Sequence, residues 1–143
     1  MQKEEAIIVD IDGTIANVDH RIHLVRKPNK NWKLFFEKMN DDKPIEQIIN
    51  KIKELHDDGL KILIVTGRPE TYQSITSAWL NKHLPFEEFE LIQRKKNDNR
   101  PSYQVKKSIL IELKKKYKIK FFLDDKEEDI NMYLNEGCQL LTD

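Results

Sequence analysis

Three short apolar runs, each ending in acidic or hydroxyl-bearing residues, limit this chain to a narrow set of folds. They are AIIVDI at 6–11, LKILIV at 60–65 and IKFFL at 119–123. Continuous apolar runs of this length read as strands buried on both faces. The segments between them carry helical spacing. Pro44 opens one helix, with Ile45, Ile48, Ile49, Ile52 and Leu55 on its stripe and Gly59 as its stop. A second follows Pro69, with Tyr72, Ile75, Ala78 and Trp79 on one stripe. A third runs from about Ser102 to Tyr117 through Val105, Ile109 and Leu113. A last helix carries Ile130, Tyr133 and Leu134 before Gly137. EFELI (88–92) is a weaker strand, and CQLL (138–141) closes as a strand. Strands separated by helices need crossover connections. The expected fold is therefore α/β, three-layered and Rossmann-like, with a central parallel sheet and helices on both faces.

At 143 residues the chain reads as one domain, 1–143. Residues 15–43 are too long for an ordinary strand-to-helix loop. They read as a small insertion after the first strand, with a short aromatic helix at Trp32 to Met39, covering the end of the sheet. No apolar run approaches the ~20 residues that span a bilayer. MQKEEAIIVD has no signal-peptide core. Cys138 is the single cysteine, so no intrachain disulfide is expected, and it reads as a core thiol in the last strand. A soluble cytoplasmic protein without a membrane partner is the expectation.

Strand C-termini in a parallel sheet share one edge, and ligands bind there. Asp10 and Asp12 follow the first strand, Thr66, Gly67 and Arg68 the second, and Asp124 and Asp125 a later one. Three or more converging carboxylates repel one another and need a cation. Oxygen ligands without His or Cys spacing favour Mg²⁺, and Mg²⁺ in turn favours phosphate. One of the Asp10/Asp12 pair could attack phosphorus while its neighbour moves the leaving group's proton. Thr66 offers a hydroxyl and a backbone N–H. Lys106 or Lys107, early in the third helix, could neutralise transition-state charge.

Other readings exist for each piece. A DxDG turn also opens an EF-hand, but the Glu needed at loop position twelve is Arg21 here. Asp124-Asp125 could merely cap the next helix, and Thr66-Gly67-Arg68 could be a plain turn. All three follow strands, in this order, with a Lys-bearing helix between the last two. That favours a single joint site.

Charge sharpens the picture. The chain has 25 Lys+Arg and 25 Asp+Glu, so its formal net charge is zero. That argues against coating nucleic acid through bulk positive charge. Residues 94–120, however, hold eleven basic residues against two acids, and residues 18–38 hold six against two. A cationic rim around an anionic centre suits a terminal phosphate and a few nearby charges.

These residues resemble the haloacid dehalogenase (HAD) superfamily of phosphotransferases. DIDGT (10–14), VTGR (65–68), Lys106 and LDD (123–125) are similar to its four motifs. The resemblance implies Asp10 as the nucleophile that forms an aspartyl-phosphate, and Asp12 as general acid and base. It implies Thr66 and Lys106 as ligands of the transferring phosphoryl group. It places Mg²⁺ on Asp10, the Asp12 backbone carbonyl and Asp124, with Asp125 supporting through water.

A narrower resemblance is to the 3′-phosphatase domain of phage-type polynucleotide kinase/phosphatases. DHRIHLV, NWKLFFEKMNDDKPI, VTGRPETYQSITSAWL, the D-x-R element at Asp98 to Arg100, VKKSIL and LDDKEEDINMYLNEG carry it. It implies phosphate contacts from Arg21 and from Arg68, which follows Gly67 in the second motif. There is no GxxxxGK[ST] loop, so 5′-phosphorylation is not expected. Ser102 stands where the family tends to carry an Asp, four residues before the third-motif Lys.

The implied activity is a Mg²⁺-dependent phosphomonoesterase acting on 3′-phosphates of nucleic-acid ends or nucleotides. Two other readings are a phosphatase of free nucleoside monophosphates or other small phosphoesters, and a non-catalytic module that binds phosphate ends. The insertion is too small for a full lid domain, and an open site suits a large substrate. Trp32, Phe35 and Phe36 could stack on a base or pack the insertion onto the body. His20 and His23 flank Arg21, either at the substrate entrance or as ordinary surface residues. Trp79 and Tyr117 read as core.

Overall fold

The computed structural model describes residues 2–26 and 28–142. Met1, Asp143 and Lys27, which was counted in the basic 18–38 stretch, lie outside the described residues. Strand β1 (Glu4–Val9) leads into an excursion built from β2 (Ala16–Asn17), α1 (His23–Arg26), α2 (Trp32–Glu37), a 3₁₀ turn at Lys38–Asp41 and β3 (Lys43–Pro44). Then come α3 (Glu46–Asp57), β4 (Lys61–Pro69), a 3₁₀ turn at Glu70–Tyr72, α4 (Gln73–His83), β5 (Glu90–Arg94), α5 (Ser102–Lys116), β6 (Tyr117–Leu123) and α6 (Glu127–Asn135). Strands β5, β4, β1 and β6, in that spatial order, form one parallel sheet.

The two-residue period of β1 builds both cores. Ile7 and Val9 point into a cluster with Ile49 and Ile52 of α3 and Trp79 and Leu80 of α4. Ala6 and Ile8 point the other way, onto Leu110 and Leu113 of α5 and Met132 and Tyr133 of α6. Burial on both faces explains why β1 lacks the apolar–polar alternation of a one-sided strand. The three-layer α/β arrangement is the one expected. Among the described residues no helix is long and apolar enough to cross a membrane.

The segment 15–43 lies outside the four-stranded sheet. Its two ends pair antiparallel, Ala16 with Pro44 and Asn17 with Lys43. Pro44 therefore sits in a short strand, not at a helix start. Ile45 N–H donates to Ile15 O at 2.7 Å, and the helix begins at Glu46. The aromatic helix stops at Glu37 and tightens into the 3₁₀ turn before reaching Met39. Asn31 caps its start by accepting from Leu34 N–H at 3.1 Å.

Other expectations need correction. On α4 the buried face is Thr76, Trp79 and Leu80, while Ala78 is exposed and Ile75 half-buried. On α6 Leu134 is exposed and Met132 takes its place inside. Tyr117 is half-buried at the start of β6, where its hydroxyl donates to Glu90 Oε1 at 2.9 Å. The strand expected at 88–92 starts two residues later. CQLL is reduced to one bridge, Phe122 with Leu140. Two hydrogen bonds support it, Phe122 N–H to Gln139 O at 2.9 Å and Leu141 N–H to Phe122 O at 3.0 Å. Cys138 is buried in the second core, as expected, and burial pushes its thiol up.

Candidate active site

Strand register assembles the site. Val9 pairs with Ile64 on one side and Leu123 on the other. Asp10 N–H donates to Leu123 O at 3.0 Å. Asp10 therefore leaves the sheet beside Asp124 and next to the chain that becomes Thr66. Carboxylate oxygens of Asp10, Asp124 and Asp125 lie within 4.8 Å of one another. Three anionic oxygens this close fit a hard divalent cation held by oxygen, as Mg²⁺ is. Burial pushes the Asp10 carboxyl well above its usual range; Lys106 counters this, and Asp124, Asp12 and Asp125 add to it. Asp125 is also raised, by burial and then by Asp124.

Gly13 makes the approach of Asp125 possible. Its φ is +81°, and a Cβ there would run into the Asp125 carboxylate. Only glycine accepts both the left-handed backbone and the contact. The turn is closed by Gly13 N–H to Ala16 O at 2.8 Å, and by Ile15 and Ala16 N–H, both to Ile11 O at 3.0 Å.

Asp12 is not part of that three-carboxylate cluster. Its Oδ1 accepts from Arg68 Nη2 at 2.6 Å, Arg68 Nε at 3.1 Å and Arg21 Nη2 at 2.8 Å. Burial alone would raise its carboxyl, but Arg68 and then Arg21 outweigh it and hold the group below its usual value. A pairing irregularity in β4 opposite β5, between Thr66 and Pro69, frees Gly67 and Arg68 from the ladder. Arg68 can then reach inward, to Asp12 and to Thr76 Oγ1 at 3.4 Å. Thr66 is buried, and its Oγ1 accepts from Arg68 N–H at 3.1 Å.

Both arginines also share Asp42. Arg21 donates Nε to Asp42 Oδ1 and Nη2 to Oδ2, and Arg68 Nη2 reaches Oδ2 at 3.2 Å. His20 Nε2 lies 2.7 Å from Asp42 Oδ1 at the solvent edge, while His23 is exposed. The Asp42 carbonyl accepts from Trp79 Nε1 at 2.9 Å, which ties the excursion to α4.

Of the two candidate lysines, the buried one is Lys106. Its Nζ lies 2.6 Å from Asp124 Oδ2, 2.9 Å from Asp129 Oδ2 and 3.2 Å from Asp10 Oδ1. Burial alone would lower Lys106, yet Asp10 and Asp124 raise it well above its usual value, so it keeps its charge. Lys107 points outward to Glu136 at 3.4 Å. Ser102 Oγ donates to Asp129 Oδ2 at 2.8 Å, so the serine at this position acts on Lys106 through a carboxylate one helix away.

Of these groups Asp10, Asp12, Thr66, Gly67, Arg68, Lys106, Asp125 and Asp129 line a cleft of about 920 Å³. One wall is apolar: Val18, Ile22, Val25, Trp32, Phe35 and Phe36 of the excursion. Asp98–Ser102 and Arg94 also line the cleft. Arg94 pins that loop, donating to Gly67 O at 2.8 Å, Asp98 O at 2.9 Å and Arg100 O at 2.6 Å. The hydrogen bonds and charge of Arg100 hold the Asp98 carboxyl down at about 2.

The structure thus gathers Asp10, Asp12, Arg21, Thr66, Gly67, Arg68, Lys106, Asp124 and Asp125 at one sheet edge. Sequence reasoning missed Asp42 and Asp129. Both lie in acidic stretches, 41–42 and 127–129, whose composition suggests surface or a helix start.

The family model described as the polynucleotide kinase PNKP phosphatase domain matches residues 4–142. Solved structures with the same fold include Pnkp1 in the Pnkp1/Rnl/Hen1 RNA repair complex (TM-score 0.81, 24% identity, 96% of this chain and 41% of that one). The chain therefore spans about two fifths of that protein's length. The class C acid phosphatase from Bacillus anthracis with tungstate bound is a second (TM-score 0.67, 18% identity, 90% and 54%). A haloacid dehalogenase-like hydrolase, SP0104 from Streptococcus pneumoniae, is a third (TM-score 0.62, 15% identity, 96% and 83%). No curated protein matches. The parallel sheet, the acidic cluster at its edge and the near-complete family match converge: the chain belongs to the PNKP-type phosphatase domains of the haloacid dehalogenase superfamily.

Proposed function

We propose that residues 1–143 form one phosphomonoesterase unit, with 15–43 as its mini-cap, that removes 3′-phosphates from nucleic-acid ends. The observation that carries this reading is one cleft holding a Lys106-contacted Asp10 and an Asp12 bracketed by two buried arginines. Such a site offers a nucleophile, a proton carrier and fixed cations for phosphate oxygens.

Arg21 and Arg68 turn from Asp12 to the incoming phosphate, with Asp42 holding them in place. Thr66 and Lys106 take the remaining oxygens. An Asp10 carboxylate oxygen attacks phosphorus, and the bond to the ester oxygen breaks. Asp12, relieved of the arginines and then protonated, gives that oxygen its proton. Water then attacks the aspartyl-phosphate and returns a proton to Asp12, which frees inorganic phosphate and Asp10. Asp10, Asp124, Asp125 and the Asp12 carbonyl would hold Mg²⁺, which when bound neutralises charge on the phosphoryl oxygens.

The test is phosphate release from a 3′-phosphorylated oligonucleotide beside free mononucleotides, with and without Mg²⁺. The proposal expects the oligonucleotide to be preferred and Asp10→Asn to be inert. Faster hydrolysis of free mononucleotides would instead favour a small-molecule phosphatase.

A further inference from the structure

Among the described residues three large apolar side chains are exposed: Trp32, Ile111 and Leu134. Of these, Trp32 lines the catalytic cleft. It is 49% exposed, yet its ring is held from behind. Phe35 meets it edge-on at 5.7 Å, and Phe36 stacks on it at 5.8 Å and 27°. Phe36 rests in turn on Tyr72 at 4.9 Å. A half-exposed indole at the rim of this cleft costs solvation that packing does not recover.

The shelf is continuous with the phosphate end of the site. Phe35 lies 4.2 Å beneath the Arg21 guanidinium, and Arg21 donates to Asp12. Arg26 and Lys126 stand at the same cleft. The occupant that fits is a flat ring joined to phosphates, one of them at Arg21. The cleft volume, about 920 Å³, falls in the range of sites that take a small ligand.

We infer that Trp32 is a specificity-determining residue, a stacking platform for an unpaired nucleobase at the 3′-phosphorylated end. This rests on the polynucleotide reading above. Stacking is tolerant of sequence because every base has a π-face. The enzyme would therefore select single-stranded ends without selecting their sequence.

The test compares a 3′-phosphorylated oligothymidylate with the same strand carrying abasic terminal residues, using glycerol phosphate as a ringless reference ester. Wild type should favour the base-bearing end through KM. Trp32→Ala should raise that KM roughly tenfold and leave kcat unchanged. It should barely affect the abasic strand or glycerol phosphate. Trp32→Phe should recover most of the loss. Equal KM for both strands in wild type, or a matching kcat loss on all esters in Trp32→Ala, overturns the platform. Fluorescence separates this from failure of the polynucleotide reading. Trp79 is buried, so quenching by unphosphorylated oligothymidylate reports on Trp32 whether or not the strand is a substrate. Quenching by the base-bearing strand alone supports the platform, and absence of quenching refutes it.

Discussion

Arg21 is fully buried and clamps Asp42 with two nitrogens, Nε at 2.7 Å from Oδ1 and Nη2 at 2.8 Å from Oδ2. With Asp12 and Arg68 this makes two buried cations and two carboxylates that balance only as a set. Asp42→Ala should leave both guanidiniums sharing Asp12. The expected cost is about 3–5 kcal/mol, as for a broken buried pair. Urea melts would measure it; a loss under about 1 kcal/mol would place the clamp with ordinary surface pairs.

Gly13 and Gly137 separate two effects. Both have positive φ, +81° and +85°. A Cβ at Gly13 collides with Asp125 Oδ2, whereas at Gly137 nothing lies within 4 Å. Each Ala variant should lose about 1–2 kcal/mol from backbone strain. Gly13→Ala alone should also raise the Mg²⁺ concentration for half-maximal activity, by roughly 10- to 100-fold. Equal metal requirements in the two variants would break the link between Gly13 and Asp125.

Metal-free stability should fall as pH rises. Burial raises Asp10 and Asp125 in the folded chain, so above the usual carboxylate value of about 4 the folded state holds more protons than the unfolded. Stability is then lost as pH climbs through the raised values. Asp12 and Asp98 are lowered and act oppositely; their contribution is complete above that usual value and disappears only in acid. The gain in Tm on replacing EDTA with Mg²⁺ should therefore be larger at pH 8 than at pH 5. Asp10→Asn should be more stable than wild type without metal at pH 8, and should gain less from Mg²⁺.

Lys106→Ala should cost about 10²–10³ in kcat, as expected on removing a fixed charge from a developing anion. Lys107→Ala, which removes an exposed pair with Glu136, should leave kcat within about twofold. Side-by-side turnover on one substrate decides it, and the reverse order would shift the functional lysine by one residue.

The sheet and its acidic edge were legible because buried parallel strands leave continuous apolar runs, and chemistry sits where they stop. Asp10, Thr66 and Asp124 needed only that rule. Asp42 was not legible, because its partner Arg21 is 21 residues away within a segment of no clear period. Asp129 follows Glu127 and Glu128 in the first turn of α6, where acids ordinarily answer the helix dipole, so only its contacts with Lys106 and Ser102 mark it out. Thr76 broke the apolar stripe of α4 because its hydroxyl faces Arg68. CQLL had strand composition but follows Gly137 directly and reaches only the edge of β6.

The central place of β1 divides the molecule's cooperativity. Asp10 hangs from a strand hydrogen-bonded on both edges and packed on both faces, so its amide neighbours exchange with solvent only when the whole sheet opens. The aromatic shelf hangs from a stem of two residue pairs, with the Asp42 contacts as its latch. The nucleophile and the aromatic shelf therefore belong to different cooperative units. Substrate range can drift through the shelf while the melting of the reactive centre stays that of the fold.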